Sequence, residues 1–170
     1  MHLGRSHVFS LVLACVLLAC GGSARADVYG DVGQLLRNGQ WPEALSRADR
    51  HLQTKPRDPQ MRYLKGLIQR ESGRTAEALE TWTRLVEDFP ELPEPYNGLA
   101  VIHAAQGNYE EARIALEKAL RANPGYATAH ENLGDLHARL ARLSYCAALQ
   151  HDAGNAELKT RLAAQGIRCP

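Results

Sequence analysis

Apolar residues recur near the start of this chain with the spacing of one helix face. Val28, Val32, Leu35 and Leu36 fall at positions i, i+4, i+7 and i+8, which predicts an amphipathic helix. Gly39 follows, and glycine suits the residue after a helix because it adopts a left-handed backbone without a Cβ clash. The apolar pattern therefore predicts a helix that ends at Gly39.

The same pattern returns twice more at one constant spacing, a period of about 34 residues. Glycines follow the predicted first helices, Glu-Ala pairs lie in the predicted second helices, and prolines follow those. The positions are Gly39, Gly73 and Gly107; Glu43-Ala44, Glu77-Ala78 and Glu111-Ala112; and Pro56, Pro90 and Pro124. Units of this kind bury their apolar faces only by stacking on neighbours, so the period predicts an all-α helical array. Such arrays usually bind other molecules through an extended surface.

The third unit resembles the tetratricopeptide repeat family. The residues on that family's signature positions are, in order, Tyr96, Leu99, Ala100, Gly107, Tyr109, Ala112, Leu116, Ala119 and Pro124. The resemblance implies a right-handed α-solenoid of antiparallel helix pairs, about 3.5 units long, with a C-terminal capping helix. It also implies that the first helix of each pair lines a concave groove.

The repeat frame divides the chain into six segments. They are a signal peptide (1–26), a divergent first unit (27–58), a second unit (59–92), a third unit (93–126), an incomplete fourth unit (127–152), and a capping helix with its tail (153–170). In the second unit Arg62 and Lys65 occupy signature positions, so we expect its apolar face to be displaced. In the fourth unit the glycine turn is missing. We expect one helix over about residues 128–152 and a short helix over about 155–165 that Gly166 stops.

Residues 1–26 have the three zones of a secretory signal peptide. A basic start precedes an apolar run over residues 8–20, and Ala24 and Ala26 then offer the small side chains that a signal peptidase needs. The run is shorter than the roughly 20 residues of a membrane-spanning helix. We expect cleavage after Ala26 and export to the periplasm. The alternative is lipidation of Cys20, since residues 17–21 resemble a bacterial lipobox, with anchoring to the outer membrane.

The charge pattern argues against nucleic acid as a partner. The full chain carries 20 basic and 19 acidic residues, and removal of residues 1–26 takes away only Arg5 and Arg25, for a formal net charge of −1. The charges alternate in sign along the predicted helices, as on a solvated face, without the basic stripe of a nucleic-acid binder.

Candidate chemistry in the sequence is sparse. His103, His130 and His137 raise the question of a metal site, and His130-Glu131 begins like a zinc-protease motif. That motif requires a second histidine four residues after the first, where this chain has Gly134. We therefore expect packing histidines, no cofactor and no metal. Nucleophile elbows, glycine-rich phosphate loops and framed acid pairs are also absent from the sequence, so we expect no enzymatic activity.

Cys146 and Cys169 remain after removal of the signal peptide. In an oxidising compartment they could close a disulfide that ties down the capping helix. The alternative is that Cys146 simply packs as a small apolar residue.

The predicted groove is the main candidate for binding. By family geometry its residues are Tyr29, Tyr63, Leu67, Asn97, Val101, Glu131, Asp135 and Arg139. Heat-shock chaperone binders of the family hold a carboxylate with lysine and asparagine, where this chain has Tyr29 and Gly33. Apolar residues at one end and acidic ones at the other favour a peptide segment of another protein with basic character.

The predicted function is a non-catalytic interaction scaffold of the bacterial cell envelope. The chain also resembles secreted repeat proteins in which a similar array precedes a domain related to L,D-transpeptidases. Two segments carry this resemblance, residues 92–97 and 127–135. It implies an alternative role as an accessory to enzymes that remodel peptidoglycan.

Overall fold

The computed structural model of the protein describes residues 27–169. The predicted signal peptide, with its cleavage site at Ala26 and the alternative lipidation site at Cys20, lies outside the described residues.

Residues 27–169 form eight α-helices and no strand, which confirms the all-α prediction for this part of the chain. Successive helices pair as α1 with α2, α3 with α4, and α5 with α6. Their bounds are α1 (Val28–Arg37), α2 (Trp41–Thr54), α3 (Pro59–Glu71), α4 (Thr75–Asp88), α5 (Pro93–Ala105), α6 (Tyr109–Ala122), α7 (Ala127–His151) and α8 (Ala156–Ala164). None of these helices has both the length and the hydropathy of a membrane span.

The turn inside each of the first three pairs is built on a glycine. Gly39, Gly73 and Gly107 have φ angles of 72°, 78° and 82°, in the left-handed region that favours glycine. After Gly39, the backbone N–H of Gln40 donates to the carbonyl of Leu35 at 2.9 Å, and the other two turns repeat this bond. This 6→1 bond satisfies a carbonyl at the end of each first helix, so every pair is closed by the same hydrogen-bonded turn.

Trp82 on α4 joins the second and third pairs. Its side chain is fully buried, and its indole N–H donates to the carbonyl of Tyr63 at 3.3 Å. The indole occupies the space that a side chain would need at Gly66 on α3 and at Gly98 on α5: a Cβ at Gly98 would lie 2.6 Å from the ring, and one at Gly66 closer still. Both helices can therefore approach the tryptophan only because these two positions are glycine.

The buried residues form two separate clusters. The smaller one joins α1, α2 and α3, and Met61 and Ile68 of α3 are fully buried in it. The larger one extends from α4 to α7 around Trp82. Lys65, at a signature position of the second unit, is partly exposed, and its ammonium lies 2.7 Å from the carboxylate of Asp49. Helix α3 therefore packs apolar side chains on both neighbours and places its lysine at the edge.

The C-terminal end departs from the repeat because α7 does not turn. Ala141 stands one repeat period after Gly107, in the middle of the long helix α7. Alanine favours a continuing helix, whereas the turn needs a left-handed residue. Helix α8 folds back on the second half of α7, and Cys146 and Cys169 form a disulfide with their Cα atoms 5.4 Å apart. The fourth unit thus ends in a disulfide-closed helical hairpin.

We expect Gly66→Ala to lower the free energy of unfolding by about 1–3 kcal/mol, because the new methyl group overlaps the indole of Trp82. Gly134→Ala is the matched control: it lies at the equivalent position of the fourth unit, has open space, and should stabilise by up to about 1 kcal/mol. Urea unfolding measures both. Trp82→Leu should partly rescue Gly66→Ala, since the pair then matches Ala100 and Leu116 of the third unit. Equal effects of the two alanines would contradict this packing.

Reduction of the Cys146–Cys169 disulfide should loosen α8 selectively. The bond closes a loop with a sequence separation of 23 residues, which corresponds to about 3 kcal/mol on the chain-entropy model. Hydrogen exchange followed by mass spectrometry should show faster exchange in α8 after reduction and unchanged exchange in α3 to α6. The double variant Cys146→Ser/Cys169→Ser should behave like the reduced protein. Equal loss of protection in both regions would mean that the hairpin supports the whole array.

Candidate functional site

The predicted groove residues lie on the first helices of the four units, but the structure gives them different environments. Those on α1 and α3 are tied to the fold, whereas three of those on α5 and α7, Val101, Asp135 and Arg139, line a common cleft. The two ends of the groove therefore differ in what they can offer a ligand.

At the N-terminal end, Tyr29 belongs to a polar junction between the first two units. Its hydroxyl donates to a carboxylate oxygen of Asp58 at 2.6 Å, and a ring nitrogen of His51 lies 2.7 Å from the same oxygen. The other carboxylate oxygen accepts from the backbone N–H of Met61 at 3.0 Å and so caps α3. The predicted groove residue Tyr29 thus holds α1 to the start of α3.

The environment of Asp58 favours its charged form. Burial raises the pKa of the carboxyl group, but the hydrogen bonds from Tyr29, the Met61 amide and His51 outweigh burial, so the pKa lies below its usual range. The same contact with Asp58 raises the pKa of the Tyr29 hydroxyl. The junction is therefore most stable with Asp58 ionised.

Tyr63 and Leu67 of α3 pack against the larger core cluster. The Tyr63 ring stacks on Trp82 with 6.0 Å between ring centroids. Burial, together with the negative charge of Tyr126 in its ionised form and of Glu94, raises the pKa of Tyr63 to about 12. Most of the surface of these two predicted residues is consequently used for packing.

Asn97 of α5 is only 9 % exposed, and its side-chain oxygen accepts a hydrogen bond of 2.7 Å from the amide of Asn132. The bond links α5 to α7 across one repeat. Asn97 therefore fixes the position of α7 and contributes little free surface. Asn132 was not predicted, although it neighbours Glu131 in the sequence and its polar character inside a packing helix could have marked it.

A cleft of about 230 Å³ opens where α7 meets the α5–α6 pair. It combines the predicted residues Val101, Asp135 and Arg139 with side chains that sequence reasoning missed. Its lining is Ala100, Val101, Ala104, Ala112, Leu116, Asn132, Asp135, Leu136 and Arg139. Val101 is 36 % exposed and presents an apolar surface to solvent there. Glu131, one turn before Asp135, is exposed but does not line the cleft.

Arg139 is oriented by Tyr109 at the start of α6. The Nε–H of the arginine donates to the tyrosine hydroxyl at 2.7 Å, and the guanidinium carbon lies 5.4 Å from the centre of the ring. A guanidinium has five N–H donors, so its terminal nitrogens keep donors for a ligand. The signature residue Tyr109 thus holds an arginine in place at the mouth of the cleft.

The three histidines do not come together. A ring nitrogen of His130 lies 2.9 Å from the carbonyl oxygen of Pro124, and His103 has its Nδ1 buried with no hydrogen-bond partner among residues 27–169. No group of three or more potential metal ligands occurs in this part of the chain.

A family model described as Tetratricopeptide repeat matches residues 34–93, 70–127 and 97–144, which together cover more than half of the chain. Among curated proteins, the TPR repeat-containing thioredoxin TTL4 of Arabidopsis thaliana is 37 % identical over 75 residues. That match covers 44 % of this chain but only 11 % of the relative's length.

Solved structures share the fold at low sequence identity. A thermophilic TPR protein of Thermus thermophilus superposes with a TM-score of 0.62 at 23 % identity, over 83 % of this chain and 98 % of that one. The first TPR of Spaghetti (RPAP3), bound to the HSP90 peptide SRMEEVD, superposes with a TM-score of 0.60 at 18 % identity. That superposition covers 67 % of this chain and 90 % of the other. The predicted α-solenoid is thereby confirmed.

We expect Asp58→Asn to lower the free energy of unfolding by about 1–2 kcal/mol at neutral pH. The substitution weakens the cap of α3 and the hydrogen bonds that residue 58 makes with Tyr29 and His51. Since the folded pKa of Asp58 is lowered, its contribution is present above the unfolded value of about 3.9 and is lost as pH falls through the folded value. The difference between the two proteins should therefore shrink in acid. Chemical unfolding from about pH 7 to pH 3 tests this, with the exposed Asp31→Asn as control. A difference that stays constant over this range would contradict the role of the charge.

Proposed function

The chain belongs to the tetratricopeptide repeat family, and from that premise we propose that it is a non-catalytic scaffold that binds a peptide segment of another protein. The observation that carries the proposal is the cleft between α5 and α7. It joins an exposed apolar residue, Val101, to the charged side chains of Asp135 and Arg139. An apolar floor with a polar rim is the usual composition of a peptide-binding surface.

A solved domain with this fold holds a peptide, which supports the same use of the groove here. The bound segment, SRMEEVD, is acidic. The present chain has Tyr29 and Gly33 where chaperone binders place lysine and asparagine, and the carboxylates of Glu131 and Asp135 lie at the other end. We infer that a net negative charge is not what selects its partner segment.

We further propose that the scaffold acts in the bacterial cell envelope. The support is the signal-peptide pattern of residues 1–26 and a disulfide between Cys146 and Cys169, a bond that persists in oxidising compartments. The protein would be periplasmic after cleavage at Ala26, or lipid-anchored to the outer membrane through Cys20. An accessory role for peptidoglycan-remodelling enzymes is the alternative, favoured by the resemblance of residues 92–97 and 127–135 to transpeptidase-linked repeat proteins.

The scaffold proposal is tested with a substitution that fills the cleft. Val101→Arg places a long charged side chain in the cleft, where Val101 is 36 % exposed. Ile114→Arg makes a similar change on α6 at a residue that is 40 % exposed and does not line the cleft. Proteins captured from an envelope extract by the mature wild-type chain should bind Val101→Arg at least tenfold more weakly, which corresponds to about 1.4 kcal/mol. Their binding to Ile114→Arg should be unchanged.

Circular dichroism should show the same helix content for both variants. If both retain the captured proteins at wild-type affinity, the cleft is not the binding surface. The identity of the captured proteins separates the two roles: peptidoglycan-remodelling enzymes favour the accessory role, and other envelope components favour a general scaffold.

A further inference from the structure

The two walls of the cleft differ in chemistry. Helix α5 contributes only small or apolar side chains, among them Val101 and Ala104, whereas α7 adds to Asn132 and Leu136 two side chains of opposite charge, Asp135 and Arg139. The volume of about 230 Å³ lies below the usual range of small-molecule pockets, roughly 300–1,000 Å³, and suits about one side chain. The following inference rests on the proposed function, because it concerns which peptide the groove selects.

The two charges on α7 are available to a ligand. Among residues 27–169, neither Asp135 nor Arg139 takes part in an ion pair. The Arg139 side chain is held against Tyr109 by a hydrogen bond of 2.7 Å from its Nε–H to the hydroxyl and by a cation–π contact of 5.4 Å to the ring centre. The anchor on α6 keeps the guanidinium engaged with Tyr109 while its terminal nitrogens remain able to bind a carboxylate.

The spacing of the two charged residues along α7 matches an extended peptide. Asp135 and Arg139 are four residues apart on a helix, which corresponds to about 6 Å along its axis. In an extended strand, residues i and i+2 point to the same side and are separated by about 6.6 Å. A strand lying along α7 would therefore present residues i and i+2 to the two charges and residue i+1 to the apolar wall of α5.

We propose that the cleft selects extended segments in which an apolar residue stands between one basic and one acidic residue. The basic side chain pairs with Asp135, the acidic one pairs with Arg139, and the apolar one contacts Val101 and Ala104. The two charges on α7 determine only that the basic peptide residue lies at Asp135 and the acidic one at Arg139. A segment can therefore run in either direction along α7. The rule selects for a charge-neutral triplet, which distinguishes this groove from one that takes uniformly basic or uniformly acidic peptides.

Display of random nine-residue peptides tests the inference on the mature chain without a known partner. The wild-type protein should enrich basic–apolar–acidic triplets, in either order, about fivefold over the starting library. Asp135→Lys should shift the enrichment to acidic–apolar–acidic triplets, and Arg139→Glu to basic–apolar–basic ones. Each exposed charge contributes a preference of about two- to fivefold, which weakens as salt is added.

Matched controls carry the same charge changes away from the cleft. Glu87→Lys on α4 and Arg121→Glu on α6 are substitutions outside the cleft lining that should leave the wild-type enrichment unchanged. Binders without the triplet, or variants that keep the wild-type preference, would overturn this inference while the scaffold function stands. The absence of any peptide binder from all five proteins would overturn the groove as a peptide site and the inference with it.

Discussion

The stacking of the second unit on the third depends on one contact, the insertion of Trp82 between two helices that have glycine where it touches them. The indole is fully buried, and its N–H group is hydrogen-bonded to the carbonyl of Tyr63, so burial leaves no polar atom of the indole unsatisfied. Gly66 and Gly98 each weaken a helix by about 1 kcal/mol relative to alanine. The array accepts this weakening because a large aromatic side chain then packs against the second and third units at once. At the positions equivalent to Gly66 and Trp82 the third unit has Ala100 and Leu116, a larger first residue opposite a smaller second one.

Much of the fold could be predicted because the repeat is marked by residues with special backbones. A left-handed turn of this kind requires glycine, so Gly39, Gly73 and Gly107 identify the helix pairs in the sequence. Ala141 stands where the next glycine would be expected, and the lack of a glycine there likewise predicts a long α7. The fit of Trp82 was beyond such reasoning. Gly66 precedes it on α3 and Gly98 follows it on α5, and nothing in a one-dimensional pattern says that two glycines share one indole.

The candidate site was predictable only in outline, since repeat positions indicate which side chains face the groove but not which are already engaged. Tyr29 is bonded to Asp58 and Asn97 to Asn132, and both bonds depend on distances between units that the sequence does not contain. Val101, Asp135 and Arg139 do line a common cleft. The role of Tyr109 in holding Arg139 was missed because the tyrosine also belongs to the family signature, where packing is a sufficient explanation for it.

The unbroken course of α7 has a consequence for how this protein can vary in length. Each complete unit ends its first helix at a left-handed glycine, and the regular pairing stops where Ala141 takes that place. At this position a left-handed glycine gives another helix pair, whereas alanine lets the helix continue. A whole unit duplicated upstream of Ala141 would lengthen the solenoid while leaving the polar junction at Asp58 and the disulfide-closed hairpin unchanged. The number of repeats can thus change while both ends of the array stay as they are.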